Sequence, residues 1–201
     1  MLTGAISWEN DPMPGMEKSV IHIFGASGSG TTTLGKYISE KLGYFFMDSD
    51  DYFWLPTDPK YTAKRDREQR IQLMKKDMET RDKVVISGSL TDWGDSLIPC
   101  FTLCLRLVIE PEARLARLKE REKRHFGPRI APGGDMYENH LKFMEWAAQY
   151  DEGGVEVRSK AKHDEWQKLL TCRVLVLNGA DTLEQNLSAV RMALAIPSMH
   201  E

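Results

Sequence analysis

The stretch GASGSGTTTLGK, at positions 25–36, decides how this chain folds. The apolar run VIHIF at 20–24 comes directly before it and is typical of a short, buried β-strand. After it, apolar residues recur four positions apart, which predicts a helix over 31–42. The glycines therefore form a tight turn between a strand and a helix.

A turn of this kind can bind phosphate. Gly25, Gly28 and Gly30 carry no Cβ, so backbone N–H groups can point inward while the helix N-terminus faces an anion. The spacing fits GxxxxG followed two residues later by Ser or Thr, which makes Thr32 the expected Mg²⁺ ligand. The dinucleotide pattern GxGxxG does not fit, because Ser27 stands where its second glycine would be. A purely structural turn is the alternative.

One position of the loop is unusual. Where a phosphate loop of this spacing has lysine, the chain has Thr31, whose hydroxyl carries no charge. Lys36 points the wrong way to replace it, because on a helix it lies about 7.5 Å along the axis and roughly 140° around it from position 31. We still expect a nucleotide to contact the loop through Gly25, Ala26, Ser27, Gly28, Ser29, Gly30, Thr31, Thr32 and Thr33.

The bulk composition is that of one ordinary globular domain. The chain has 201 residues, of which 41% are hydrophobic and 28% are charged. We expect a loose N-terminal extension over 1–18 and a single domain over 19–201. A net charge of -3 argues against a protein that coats nucleic acid or an anionic membrane. The apolar runs are too short to span a bilayer, the N-terminus does not resemble a secretory signal, and we expect a cytoplasmic protein.

Strand and helix patterns alternate along the chain. This order predicts an α/β fold: a five-stranded parallel sheet with helices on both faces, in three layers. About 60 residues separate the fourth and fifth strands, and this insert, about 111–170, has the length and place of a lid. Further strands are predicted over 44–47, 83–86, 101–109 and 173–177, and further helices over 66–80, 111–124, 136–149, 159–170 and 182–195.

An acidic cluster, DSDD at 48–51, follows the second predicted strand. In a parallel sheet this end of the strand lies beside the glycine loop, since the carboxyl ends of the strands meet at one edge. Asp48 and Asp50 could there accept a proton from an attacking hydroxyl or hold Mg²⁺. A solvated acidic turn is the alternative.

Arginines recur at spacings of three and four on the first insert helix, at Arg114, Arg117, Arg121 and Arg124. This spacing predicts one stripe on the helix surface, and guanidinium groups bind phosphoryl oxygens in a planar fork. Ion pairs with neighbouring glutamates would explain the same stripe without any ligand. Arg117, Arg121 and Arg124 are the candidates to supply the charge that Thr31 lacks, as an arginine finger.

The order of these features resembles that of the P-loop small-molecule kinases, especially the adenylate kinase and shikimate kinase group. GASGSGTT at 25–32 resembles their Walker A loop, and LGYFFMDSDDYF at 42–53 resembles the second strand of shikimate kinase with its Asp-x-Asp. The resemblance implies that Asp48 and Thr32 hold Mg²⁺ and that Asp48 and Asp50 meet the acceptor. It also implies a lid in which Arg121, Arg124 and Arg158 act on the transferred phosphoryl group, with Arg117 contacting the nucleotide.

The same resemblance assigns two further loops. The loop after the third strand, with Gly88 and Ser89, would meet the acceptor, and the loop around Asn178 would meet adenine. Trp54, in the loop after the acidic cluster, could line the acceptor pocket.

Three hypotheses follow. The first is an ATP- and Mg²⁺-dependent phosphotransferase acting on a small polar acceptor, either a nucleoside or nucleotide or a hydroxyl of a shikimate-like or sugar acid. The second is a nucleotide-binding sensor with little or no transfer. The third is a binder of phosphate other than a nucleotide. Thr32, the two aspartates and the arginine-rich insert together favour the first. Monomer and homodimer both remain open.

Overall fold

The computed structural model describes residues 18–195. Except for Lys18, the predicted N-terminal extension lies outside these residues, as do the last positions of the predicted domain, 196–201. The strands are β1 (Ser19–Gly25), β2 (Phe45–Asp48), β3 (Lys83–Ser87), β4 (Leu103–Val108) and β5 (Arg173–Asn178). They form one sheet in the order β2-β3-β1-β4-β5, and every pairing is parallel. The predicted five-stranded parallel sheet is thus confirmed.

The central strand β1 shows why the sheet is buried on both sides. Val20, His22 and Phe24 join one apolar layer, whereas Ile21 and Ile23 join the other, and all are nearly or fully buried. A strand covered on both faces needs an almost continuous apolar run, which is what VIHIF provides.

The helices are α1 (Thr31–Leu42), α2 (Ser49–Phe53), α3 (Arg67–Glu79), α4 (Pro111–Phe126), α5 (Tyr137–Ala148), α6 (Lys160–Gln167) and α7 (Leu183–Ala195). One face of the sheet is covered by α1 and α7, and the other by α3 and α6. This arrangement confirms the three-layer α/β architecture. Within residues 18–195, no helix has both the length and the apolarity that crossing a bilayer requires.

Several boundaries differ from the expected ones. The segment after β2, expected as an acidic cluster followed by a structured loop, begins with the short helix α2. The Asp48 side chain caps this helix by accepting a hydrogen bond from the Asp50 amide at 3.1 Å, which is a favoured use of aspartate. The loop expected over 125–135 is shorter, because α4 continues to Phe126 and a 3₁₀ turn follows at Gly127–Ile130.

The insert between β4 and β5 has two structurally different parts. Helices α4 and α5 pack against each other beside the glycine loop, where a lid would lie. Helix α6 is instead a core helix, because Trp166 is 5% exposed and packs edge-on against His22 and Phe24. The lid character expected over 111–170 therefore does not extend to α6.

Candidate functional site

The glycine loop joins β1 to α1 in the conformation that its glycines allow. Gly28 and Gly30 have φ angles of 85° and 105°, in the left-handed region that favours glycine. A Cβ at Gly28 would lie 2.6 Å from the carbonyl oxygen of Arg114, so α4 closes directly over the loop. The loop can approach its neighbours this closely only because it has no side chain there.

The start of α1 presents free backbone amides to this loop. The first intrahelical hydrogen bond runs from the Leu34 amide to the Gly30 carbonyl at 2.9 Å, and Gly30 provides no side-chain cap. The amides of residues 31–33 therefore have no partner within the helix, which is the arrangement that binds anions at helix N-termini. Of the loop side chains, Ser29 is buried and Thr33 is exposed.

Thr32 and Asp48 meet across the end of the sheet. The Thr32 hydroxyl donates a hydrogen bond to Oδ2 of Asp48 at 3.1 Å. This bond spans β3, which lies between β2, where Asp48 is, and β1, which leads to α1 and Thr32. Desolvation raises the pKa of the Asp48 carboxyl, and the nearby Asp50 carboxylate raises it further. A partly desolvated carboxylate beside a hydroxyl offers the oxygen ligands that Mg²⁺ prefers, so these residues fit the expected magnesium site.

Asp50 lies on α2, close to two arginines of the insert. It keeps solvent access, but desolvation by the surrounding residues raises the pKa of its carboxyl. The charges of Arg158 and Arg121 act in the opposite direction, as does the Trp54 side chain. The fold therefore brings Asp50 near two arginines that lie 71 and 108 positions after it in the sequence.

The four arginines of α4 do not act as one stripe. Arg114 is fully buried and pairs with Asp151 at 2.5 Å, because α5 and the following turn cover it. Arg117 donates to the carbonyl oxygen of Gly179 at 3.0 Å, whereas the Arg121 guanidinium lies 5.6 Å from the Phe143 ring centroid.

Arg124 faces away from this cleft. Its side chain is 73% exposed and lies 3.6 Å from Glu120 on the same helix, which is the solvated ion pair that the sequence left open. Its expected catalytic role remains a prediction that no contact in the described residues supports.

Arg158 is placed differently from the arginines of α4. It follows the turn after α5, and its Nη2 donates to the carbonyl oxygen of Gly25 at 3.2 Å. With Ser27, Trp146 and Tyr150 it lines a narrow cleft at the start of the loop. Among residues 18–195, it is the arginine that hydrogen-bonds to the backbone of the glycine loop.

The loop after β5 lies beside the same site. A Cβ at Gly179 would be 2.6 Å from the Ser29 carbonyl oxygen, so the two loops touch. The exposed Asn178 shapes this turn by accepting a hydrogen bond from the Ala180 amide at 2.9 Å. Asn178 and Arg117 thus border the space above the loop in which a base is expected.

The expected acceptor loop after β3 is held by its own contacts. Gly88 has a φ of 104° and packs against Ser49, while its carbonyl oxygen is 2.9 Å from Nε2 of His22. The Ser89 hydroxyl is 3.1 Å from Nε2 of His163, so it is already engaged in a network. Trp54 is half-buried and packs against the rings of Phe53 and Tyr61.

Two buried or half-buried residues near the site, His163 and Tyr150, have no signal in the sequence. His163 is fully buried, and its Nδ1 is 2.7 Å from the Tyr150 hydroxyl while its Nε2 faces Ser89. This chain of hydrogen bonds joins the loop after β3 to the cleft that holds Arg158. No local pattern in KAKHDEWQ marks the histidine, because its partners come from elements far away in the sequence.

The two buried histidines predict an acid-sensitive fold. Burial lowers the pKa of His22 to about 4 and that of His163 to about 3, whereas an unfolded histidine titrates near 6.5. Below pH 6.5 the unfolded chain therefore binds more protons, so the free energy of unfolding falls as the pH falls. Between pH 7.5 and 5.0 we expect each histidine to contribute a loss of about 2 kcal/mol.

Urea unfolding at both pH values measures this loss. The His163→Gln variant should lose about 2 kcal/mol less than the wild type over this range, since glutamine does not titrate. The exposed His125→Gln is the matched control and should lose as much as the wild type. An unchanged loss in His163→Gln would contradict the buried, neutral state of this histidine.

Comparisons with known proteins agree with this architecture. No protein family model matches the chain. The chain is 40% identical over 173 residues to the uncharacterized protein YqaC of Bacillus subtilis, a match that covers 86% of this chain and 96% of YqaC. It is 30% identical over 118 residues to a cytidylate kinase of Methanocorpusculum labreanum, covering 51% of this chain and 62% of the kinase.

Among solved structures, the shikimate kinase of Bacteroides thetaiotaomicron superposes with a TM-score of 0.55 at 17% identity, covering 89% of this chain and 99% of that one. At this identity the likeness concerns the fold, and it agrees with the five parallel strands and the glycine loop. The chain is therefore a member of the family of YqaC, and its fold is that of the P-loop small-molecule kinases.

Proposed function

We propose that this protein transfers the γ-phosphoryl group of ATP to a small polar acceptor. The observation that carries the proposal is the Thr32–Asp48 hydrogen bond at 3.1 Å, at the mouth of a loop whose helical amides are free. A structural turn needs neither a hydroxyl nor a carboxylate at this point. Both are the ligands that a magnesium–nucleotide complex uses in a P-loop. The kinases among the relatives support the same reading.

Different residues of the chain bind the nucleotide, hold the metal ion and act on the acceptor. The amides of residues 31–33 and the glycine loop bind the phosphates of ATP, while Thr32 and Asp48 would hold Mg²⁺. Bound there, Mg²⁺ would neutralise negative charge on the β- and γ-phosphates. Asn178 and Arg117 border the position proposed for adenine. ATP and Mg²⁺ are thus the proposed cosubstrate and cofactor.

Asp50 orients the acceptor hydroxyl and accepts its proton. The hydroxyl oxygen forms a bond to the γ-phosphorus, and the bond from that phosphorus to the β–γ bridging oxygen breaks, so ADP leaves with the electron pair. Arg121 and Arg158 lie near Asp50, where the transferred group would carry its charge. Gly88, Ser89 and Trp54 are the proposed walls of the acceptor side.

The acceptor belongs to one of two chemical classes. One is a nucleoside or nucleotide, and the other is a shikimate-like compound or sugar acid that offers a hydroxyl group. Both are small and polar, and both suit a cleft that combines carboxylates with arginines. We place the protein in the cytoplasm, where ATP is available.

The test measures binding and transfer on the same protein. We expect Mg·ATP to bind more tightly than ATP with EDTA, and radiolabel from γ-³²P-ATP to reach an acceptor in a panel of nucleosides, nucleotides and sugar acids. The Thr32→Val variant should lose the effect of Mg²⁺ on affinity, roughly tenfold or more, because one ligand to a charged group is removed. Thr32→Ser is the matched control, since it keeps the hydroxyl.

Two outcomes would contradict the proposal. If the wild type binds Mg·ATP but transfers nothing to any acceptor, the nucleotide-sensor hypothesis, which the uncharged Thr31 favours, replaces it. If ATP does not bind at all, the glycine loop is structural or binds another phosphate.

A further inference from the structure

The glycine loop lacks a side-chain cation where phosphates would lie. Thr31 is the first residue of α1, and its side chain brings a hydroxyl and no charge. Backbone amides bind phosphate, but they do not neutralise the charge that builds up on the γ-phosphoryl group during transfer. If the proposed function is correct, a cation from another element must meet the phosphates.

Other basic residues of α1 and α4 do not supply this cation. The Lys36 ammonium lies 5.7 Å from the centroid of the Phe46 ring, on β2. Arg117 lies near Gly30, but its guanidinium is already bonded to the carbonyl oxygen of Gly179, beside the position proposed for the base. Arg124 points to solvent beside Glu120, and Arg121 pairs with Glu122 of the same helix at 3.6 Å.

Arg158 contacts the backbone of the glycine loop directly. Its guanidinium donates to the carbonyl oxygen of Gly25, the first residue of the loop, at 3.2 Å. Asp50 is its principal charged partner, although no ion pair within 4.0 Å joins them in the described residues. Arg158 therefore contacts the start of the phosphate loop and interacts electrostatically with the candidate base, Asp50.

The Arg158 guanidinium also has N–H groups that are free to donate hydrogen bonds. Its Nε is buried without a hydrogen-bond partner among the described residues, and Nη2 alone is bonded to the loop. Burial lowers the pKa of Arg158, so its charge is poorly solvated in this state. A phosphate group would accept a hydrogen bond from the unpaired Nε–H and would balance the poorly solvated charge, because a guanidinium binds phosphate through two parallel N–H groups.

The position of Arg158 is held by the fold. The Trp146 ring centroid lies 5.6 Å from its guanidinium, and the next residue, Ser159, is fully buried and caps α6. A side chain fixed in this way loses little freedom when an anion binds, which favours a catalytic cation over a flexible lysine. We propose that Arg158 takes the place of the missing lysine and binds the β- and γ-phosphates of ATP.

The experiment compares nucleotide affinities and transfer rates in four variants: Arg158→Gln, Thr31→Lys, the double variant, and Arg191→Gln as the control. Arg191 is an exposed arginine of α7. Isothermal titration with Mg·ATP, Mg·ADP and AMP measures how much each additional phosphate contributes to affinity. Thermal melting and circular dichroism check that each variant is folded.

In Arg158→Gln we expect the affinity for Mg·ATP to fall about tenfold or more, while the affinity for AMP is unchanged. The transfer rate should fall about 10²–10³-fold, as when one preorganised donor to the transition state is removed. In the double variant, Thr31→Lys should restore most of both losses. Arg191→Gln should behave as the wild type.

Two results would overturn the inference. One is an Arg158→Gln variant that still distinguishes ATP from AMP as well as the wild type does. The other is a double variant no better than Arg158→Gln, which would assign Arg158 to the acceptor. If Arg158→Gln does not fold, Arg158→Lys replaces it and should keep part of the preference for ATP.

Failure of the proposed function is a separate result. A wild type that binds ATP through Arg158 but transfers nothing would leave this inference standing and make the protein a nucleotide sensor. A wild type that binds no ATP would contradict both the proposed function and the role of Arg158.

Discussion

Replacing Asp50 by asparagine should lower the rate of phosphoryl transfer about 10³-fold or more, because general-base catalysis contributes up to about 10⁴. Asparagine has nearly the same shape as aspartate but cannot accept the proton of the acceptor hydroxyl. The affinity for Mg·ATP should change little, since Thr32 and Asp48 are the proposed metal ligands. Single-turnover kinetics with the acceptor found in the panel, together with calorimetric binding of Mg·ATP, separate these two effects.

Asp51→Asn is the matched control for this experiment. Asp51 neighbours Asp50 on α2 and is exposed. Its substitution should leave the transfer rate close to that of the wild type. Equal losses in the two variants would mean that the acidic cluster acts only through its summed charge, and Asp50 would then have no role of its own.

Removing the Asp151 carboxylate should cause the largest loss of stability. Arg114 is completely buried, and it is held by Asp151 at 2.5 Å and by the carbonyl oxygen of Ala147 at 2.7 Å. In Asp151→Ala the buried charge loses its counter-ion, which typically costs about 3–5 kcal/mol. We expect about 3 kcal/mol, because the Asp151 side chain is 30% exposed and water screens part of the effect.

Urea unfolding of three variants tests this expectation. Glu120→Ala removes the partner of the exposed Arg124 and should cost about 0.5 kcal/mol or less. Combining Asp151→Ala with Arg114→Met should recover part of the loss, since no buried charge is then left unpaired. A loss in Asp151→Ala no larger than that in Glu120→Ala would show that Arg114 reaches water.

The Arg114–Asp151 ion pair also lies close to the glycine loop. Asp151 begins the turn that leads to Arg158, and Arg114 supplies the carbonyl oxygen against which Gly28 packs. The pair therefore joins α4, which covers the glycine loop, to the segment that leads to Arg158.

The local patterns of the sequence determined much of the architecture. The turn between 20–24 and 31–42, the alternation of strands and helices, and the length of the insert depend on backbone geometry and on apolar periodicity, which neighbouring residues encode. Thr32 and Asp48 could be paired in advance, because parallel strands bring their carboxyl ends to one edge of the sheet.

The roles of the arginines could not be read in this way. Helical spacing places Arg114 and Arg124 on one stripe, yet one is buried and the other is solvated. What separates them is the packing of α5 and of Asp151, which lies 37 residues after Arg114. Arg158 has no pattern of its own, and it meets Gly25 across 133 positions of sequence.

The sequence by itself therefore determined the fold, the phosphate loop and the absence of its lysine. Only the tertiary structure decided which arginine reaches that loop, because the burial and direction of a charged side chain depend on partners distant in sequence, and no periodicity along the chain records them.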